Sequence, residues 1–202
     1  MEELLKMLNS WFPMSPELQV TLLQRVYKEV HRKNKLILKA GEICDWVGFV
    51  EKGLCKTTYE PEKGIERVMG FFREGNMIGS MKSFYYFVPS KLSIRAIEET
   101  HLRKIRKVEL ESIYEKYTEF NINGRKITEQ YFSSYEDHLV LMSMPAKERF
   151  NLLIHENPSL LNDSRIKDYM LAAFLGIDKA TMSRFRNANK KVDPNQQLSF
   201  FD

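Results

Sequence analysis

Five basic side chains, Lys179, Arg184, Arg186, Lys190 and Lys191, fall between positions 179 and 191 with no acid among them. On a surface helix, ammonium and guanidinium groups so clustered suit the phosphates and major groove of a duplex. The residues before them say how such a helix would be held. Ile166, Tyr169, Met170, Ala173 and Phe174 recur at helical spacing, and Gly176 stands where a helix must end and the backbone reverse. Asp178 then occupies an N-cap position, and Met182 and Phe185 give the second helix an apolar side. The small Ala172 lets two such helices cross closely, as in a helix-turn-helix. The same spacing also describes an ordinary two-helix corner with a solvated basic face.

The chain has 202 residues and a formal net charge of +4, so it can hold one large or two small domains. A charge so modest means that any nucleic-acid surface comes from local clustering. Two cysteines, Cys44 and Cys55, are too few for a disulfide framework and read as buried apolar residues. An enzyme in a cupin-like roll would need histidines and carboxylates gathered around a metal, yet His31, His101, His138 and His155 are scattered over different elements. No nucleophile and base pair or phosphate-cradling glycine loop stands out either, which argues against an enzyme. No apolar run is long enough to span a bilayer, and the N-terminus opens on acids, so a cytoplasmic protein with no membrane partner is expected.

Met1 to Val30 reads as amphipathic helix that should lie against a following domain. From Asn34 to Ile105 the pattern changes to short apolar or alternating runs cut by Gly41, Gly53, Gly64, Gly75 and Gly79. Roughly eight short strands at near-regular spacing argue for an antiparallel barrel, roll or jelly roll. From Val108 helix returns, with a long segment from about Phe120 to Met142. There Phe120, Gly124, Ile127, Tyr131, Tyr135, His138 and Met142 recur every three or four residues, a seam that pairs with its own copy or packs on its own chain. We expect the dimer. Pro145 breaks that helix and marks a domain boundary. The fold class is therefore α+β: a roll domain over 1–107, dimerisation helices over 108–143 and a helix-turn-helix domain over 144–202.

The order of these parts resembles the Crp/Fnr family of bacterial transcription regulators over nearly the whole chain. The residues that carry the likeness are 46–53 (WVGFVEKG), 74–79 (EGNMIG), 94–105 (IRAIEETHLRKI), 146–150 (AKERF) and 175–186 (LGIDKATMSRFR). The last looks most like the short members found in Bacteroidetes. The resemblance implies a cyclic-nucleotide-binding-like roll, a dimerisation helix and a winged helix-turn-helix that binds palindromic DNA as a homodimer. Its partners would be double-stranded DNA, a second copy and RNA polymerase.

Two departures limit what is carried over. In members that answer to cyclic AMP, a glutamate just after the Gly79 position and an arginine and serine pair hold the phosphate. Here Ser80, Ser90 and Lys91 stand in those places, and neither a serine nor a lysine reproduces the bidentate arginine fork. That argues against cyclic AMP, so no cofactor is assigned. The candidate effector pocket is Gly79, Ser80, Lys82, Ser90, Lys91 and Arg95, for another anion if any. The four-cysteine cluster of the oxygen-sensing branch cannot be built from two cysteines. Matching the second helix gives Lys179, Ala180 and Arg184 the base-facing positions, with Thr181, Ser183 and Arg186 on phosphates and Lys190 and Lys191 adding nonspecific attraction. The tail after Lys191 is short for a wing, and Pro194 disfavours a central strand there. The rival from another class is an effector-binding or protein-interaction module without specific DNA binding.

Overall fold

The computed structural model describes residues 1–61 and 64–190. They form two compact units, Met1–Glu136 and a second beginning at Asp137.

In the first unit two helices precede the sheets, α1 (Glu2–Trp11) and α2 (Pro16–Arg25). Ser15 caps α2 by accepting from Leu18 N at 3.2 Å, with Pro16 at the first turn, where a missing N–H is harmless. Eight strands follow: β1 (Tyr27–His31), β2 (Leu36–Leu38), β3 (Trp46–Lys52), β4 (Cys55–Tyr59), β5 (Arg67–Phe72), β6 (Met77–Ile78), β7 (Ser93–Ala96) and β8 (Thr100–Arg106). A short helix, α3 (Met81–Tyr86), lies between β6 and β7. The strands pair antiparallel in two four-stranded sheets, β1-β8-β3-β6 and β2-β7-β4-β5. Neighbours distant in sequence, such as β3 and β8, mark this as a roll rather than a meander.

Strand β3 shows why so apolar a run is needed. Trp46 and Val50 point between the sheets with Leu38, Cys55, Ile94 and Leu102. Val47 and Phe49, on the opposite face, pack with Leu4, Leu8, Leu18, Leu22, Leu110 and Ile113 of the covering helices. Each buried leucine of that outer layer contributes on the order of 2 kcal/mol. Two helices close the unit, α4 (Lys107–Lys116) and the first part of α5 (Phe120–Ser143). Gly124 lets α5 approach α4, since a Cβ there would lie 2.3 Å from the Tyr114 hydroxyl.

The second unit holds the end of α5, then α6 (Ala146–Glu156), α7 (Pro158–Asn162), α8 (Asp168–Leu175) and α9 (Lys179–Lys190). Pro145 sits at the N-cap of α6, one place before the first helical residue. The core is Leu141, Phe150, Leu153, Leu160, Leu161, Ile166, Met170, Leu171, Leu175 and Met182. None of the described helices is long and apolar enough to cross a membrane.

Candidate nucleic-acid interface and roll interior

Helices α8 and α9 are joined by three residues, and Gly176 is in the left-handed region at φ 65°. A Cβ would strain that conformation, which allows Ile177 N to donate to Ala172 O at 3.0 Å and end α8. Asp178 starts α9: its Oδ1 accepts from Thr181 N at 2.7 Å and its Oδ2 from Thr181 Oγ1 at 2.9 Å. The bond from the Thr181 backbone, with the others, holds this carboxyl below its ordinary range. Met182 is fully buried and Phe185 stacks on Phe150, fixing which side of α9 faces inward.

The opposite side presents Lys179, Ala180, Ser183, Arg184 and Asn187, all exposed. Lys179 Nζ lies 5.6 Å from the ring centroid of Tyr169, and Arg184 donates to Thr181 Oγ1 at 3.3 Å. Thr181 is half-buried. Arg186 is placed differently. It donates to the carbonyl of Leu161 at 3.2 Å and pairs with Asp168 at 2.9 Å, so its guanidinium ties α9 to α7 and α8. Lys190 closes α9; Lys191 and the expected wing lie outside the described residues. Asn187, three residues after Arg184 and four after Ser183, lies on the same face. Tyr169, expected on the apolar side of α8, is 46% exposed, and Leu171 is buried instead.

The roll interior brings together part of the expected pocket. Ser80 and Ser90 are buried and their hydroxyls hydrogen-bond at 2.9 Å. Ser90 Oγ also accepts from Leu92 N at 3.0 Å, while Ser80 N reaches Cys44 Sγ at 3.5 Å. Ser83 Oγ accepts from Cys44 N at 2.8 Å and donates to Val88 O at 2.6 Å. Gly79 is buried beside them. The cations are not gathered there to match: Lys82 and Lys91 are exposed, and Arg95 donates to Asn34 O at 2.8 Å. Cys44 and Cys55 are buried free thiols; burial raises both, Cys55 to about 12, so both stay protonated and inert.

Of the expected seam on α5, three residues face their own unit. Phe120 is buried against Tyr114, Ile127 packs on the helix and sheet core, and Tyr131 donates to Met77 O at 3.0 Å and stacks on Phe72. In the second unit, His138 stacks on Phe174 at 5.3 Å, and Met142 Sδ accepts from Arg149 at 3.9 Å. Tyr135 stays 46% exposed. The large apolar groups left facing outward on α5 are Phe132, Leu139 and Val140, 71%, 70% and 50% exposed. Among the described residues no group of His, Cys, Asp and Glu is placed to hold a metal.

Residues 28–117 match the family model of the cyclic nucleotide-binding domain. No curated protein matches the chain. Among solved structures, FixK2 from Bradyrhizobium japonicum is similar at a TM-score of 0.70 and 19% identity, covering 82% of this chain and 84% of that one. The c-di-GMP-responsive global regulator CLP of Xanthomonas campestris gives 0.67 and 14%, over 87% and 92%. A Eubacterium rectale protein described as a regulator of the Crp/Fnr family gives 0.69 and 16%, over 90% and 88%. Over residues 28–117 the roll resembles the cyclic nucleotide-binding domain, and the chain shares the fold of these solved structures, a Crp/Fnr regulator among them.

Proposed function

We propose that the chain is a transcription regulator that binds a palindromic DNA operator as a homodimer, with α8 and α9 as its helix-turn-helix. The observation that carries this reading is the exposed, acid-free face of α9, presented beyond a glycine turn. Arg184 and Lys179 donate to guanine O6 and N7, Asn187 is suited to adenine, and Ala180 offers only a methyl to thymine. Thr181 and Ser183 serve phosphates. Arg186 leaves that set because Asp168 and the Leu161 carbonyl hold it. The roll acts as the sensory part, without cyclic AMP: the buried Ser80–Ser90 pair offers no cation to a phosphate. RNA polymerase is the target such a regulator acts on.

The dimer forms along α5 through Phe132 and Tyr135, three residues apart and on one stripe. The test is selection of duplexes from a random pool by the full chain, followed by anisotropy titration. The expected result is a two-fold symmetric site whose half-sites lie about 10 bp apart, centre to centre, or a multiple of that, and weak binding to a single half-site. Equal affinity for selected and random duplexes would overturn the reading.

A further inference from the structure

Helix α3 ends in an aromatic run that its own unit leaves open. Tyr85, Tyr86 and Phe87 are 50%, 75% and 59% exposed. Phe87 is also the C-cap of α3, in the left-handed region at φ 54°, ψ 41°. Only one other non-glycine residue of the described chain has positive φ, and it is an asparagine, which tolerates that region; a bulky aromatic there is a strained outlier. The backbone there closes α3, Phe87 N donating to Ser83 O at 2.8 Å, while the ring itself stays exposed.

The run joins the open stripe of α5. Tyr85 Oη and Thr128 Oγ1 are 3.1 Å apart. Thr128, Phe132 and Tyr135 lie at i, i+4 and i+7 of α5, on one face, and the latter two are exposed. Tyr85 thus abuts the N-terminal end of the stripe on which the proposed dimer rests. The area points the same way. A stable interface buries about 800 Å² per partner and a whole aromatic side chain gives about 150–250 Å², so Phe132 and Tyr135, 71% and 46% exposed, supply roughly a quarter to a third of it and leave the rest to a neighbouring surface.

We propose that Tyr85, Tyr86 and Phe87 form a shelf against which a second copy of the chain seats, so that the dimer interface includes α3 as well as α5. This rests on the homodimer reading above. The occupant is a second copy because the shelf continues the α5 stripe, and a two-fold axis along that stripe presents each shelf to the partner. Since Ser80 is the N-cap of α3, the partner would then press on the helix that starts at the buried Ser80–Ser90 pair.

The test is sedimentation equilibrium of the full chain and of Phe132→Asp, Tyr86→Ser and the pair Tyr86→Ser with Phe87→Gly. Phe132→Asp should be monomeric, and the pair should raise the dimer dissociation constant about tenfold or more, as loss of aromatic anchors does. A dimer as tight as wild type in the pair, with Phe132→Asp monomeric, would overturn the shelf and leave the α5 seam standing. A wild-type chain that is monomeric throughout would overturn the homodimer reading and the shelf together. As a second check, benzoylphenylalanine at position 86 should give covalent dimers on irradiation. The same group at Tyr59, exposed on β4, should not; absence of the position-86 cross-link in a dimeric sample also overturns the shelf.

Discussion

The hydroxyl of Tyr131, on the long helix α5, donates to the carbonyl of Met77 on β6 at 3.0 Å, and burial pushes its phenol pKa well up. This bond ties the helix to its own roll. Tyr131→Phe therefore costs about 1 kcal/mol of stability in urea unfolding, the net worth of one hydrogen bond, and leaves the dimer dissociation constant unchanged. A monomeric Tyr131→Phe chain of wild-type stability would show that Tyr131 faces a partner instead.

Phe87 gives effects of opposite sign. Relieving its left-handed backbone with Phe87→Gly stabilises the lone protomer by about 1 kcal/mol. The same change removes a side chain from the proposed shelf and weakens the dimer. Thermal melts at concentrations well below and well above dissociation should then show the variant ahead of wild type when dilute, with the advantage shrinking as the chain is concentrated.

The buried Ser80–Ser90 pair makes a statement about ligands. A ligand at a hundred times its dissociation constant raises stability by about 2.7 kcal/mol, which a thermal melt resolves easily. Millimolar cyclic AMP is expected to shift the melting temperature of this chain by nothing measurable. Ser80→Ala removes one partner of a buried hydroxyl and costs about 1 kcal/mol, without creating a response to the nucleotide. A nucleotide-dependent rise in either protein would mean that the pair opens and a phosphate is held by other groups.

The roll was legible because strand periodicity is local: β3 is apolar on both faces because it is covered on both. The turn at Gly176 and the cap at Asp178 were legible for the same reason, since backbone conformation there depends on the residue itself. The stripe on α5 was visible, but its facing was not. Phe120, Ile127 and Tyr131 lie on one side and Thr128, Phe132, Tyr135 and Leu139 on another, and helical spacing cannot say which side meets the chain's own sheets. The same limit hid the role of Arg186, whose partners Leu161 and Asp168 are far away in sequence. Ser80 and Ser90 meet only because α3 and its following loop fold back, a contact no motif announces.

His138 gives the second unit a pH dependence. Burial lowers its pKa from the ordinary 6.5, and its Nδ1 is buried with no hydrogen-bond partner among the described residues while the ring packs on Phe174. The unfolded chain then binds more protons than the folded one just below pH 6.5, so stability rises with pH in that window. It is fully present above 6.5 and falls as pH drops through the folded value. His31 is lowered as well, by burial and by Lys104, so the measurement is a difference. Wild type minus His138→Leu, followed by urea unfolding from pH 7.5 to 5, should retain a positive slope; a flat difference would show that the ring titrates as it does in the unfolded chain.

Arg184 and Arg186, two residues apart on α9, should separate binding from stability. Arg184 is exposed and donates to Thr181 Oγ1, whereas Arg186 is held by Asp168 and the Leu161 carbonyl. Arg184→Ala should leave the melting temperature unchanged, cost about 1 to 3 kcal/mol at the selected operator and flatten the preference at one base pair. Arg186→Ala should instead lower stability by about 1 to 2 kcal/mol, because the Leu161 carbonyl loses its donor, and leave the salt dependence of DNA binding as it was. Lysine at position 186 keeps the charge but not the fork that meets two acceptors at once, so Arg186→Lys recovers stability only in part. Were Arg186→Ala to keep its melting temperature and reduce the salt slope by about one unit, the guanidinium would be a phosphate contact after all.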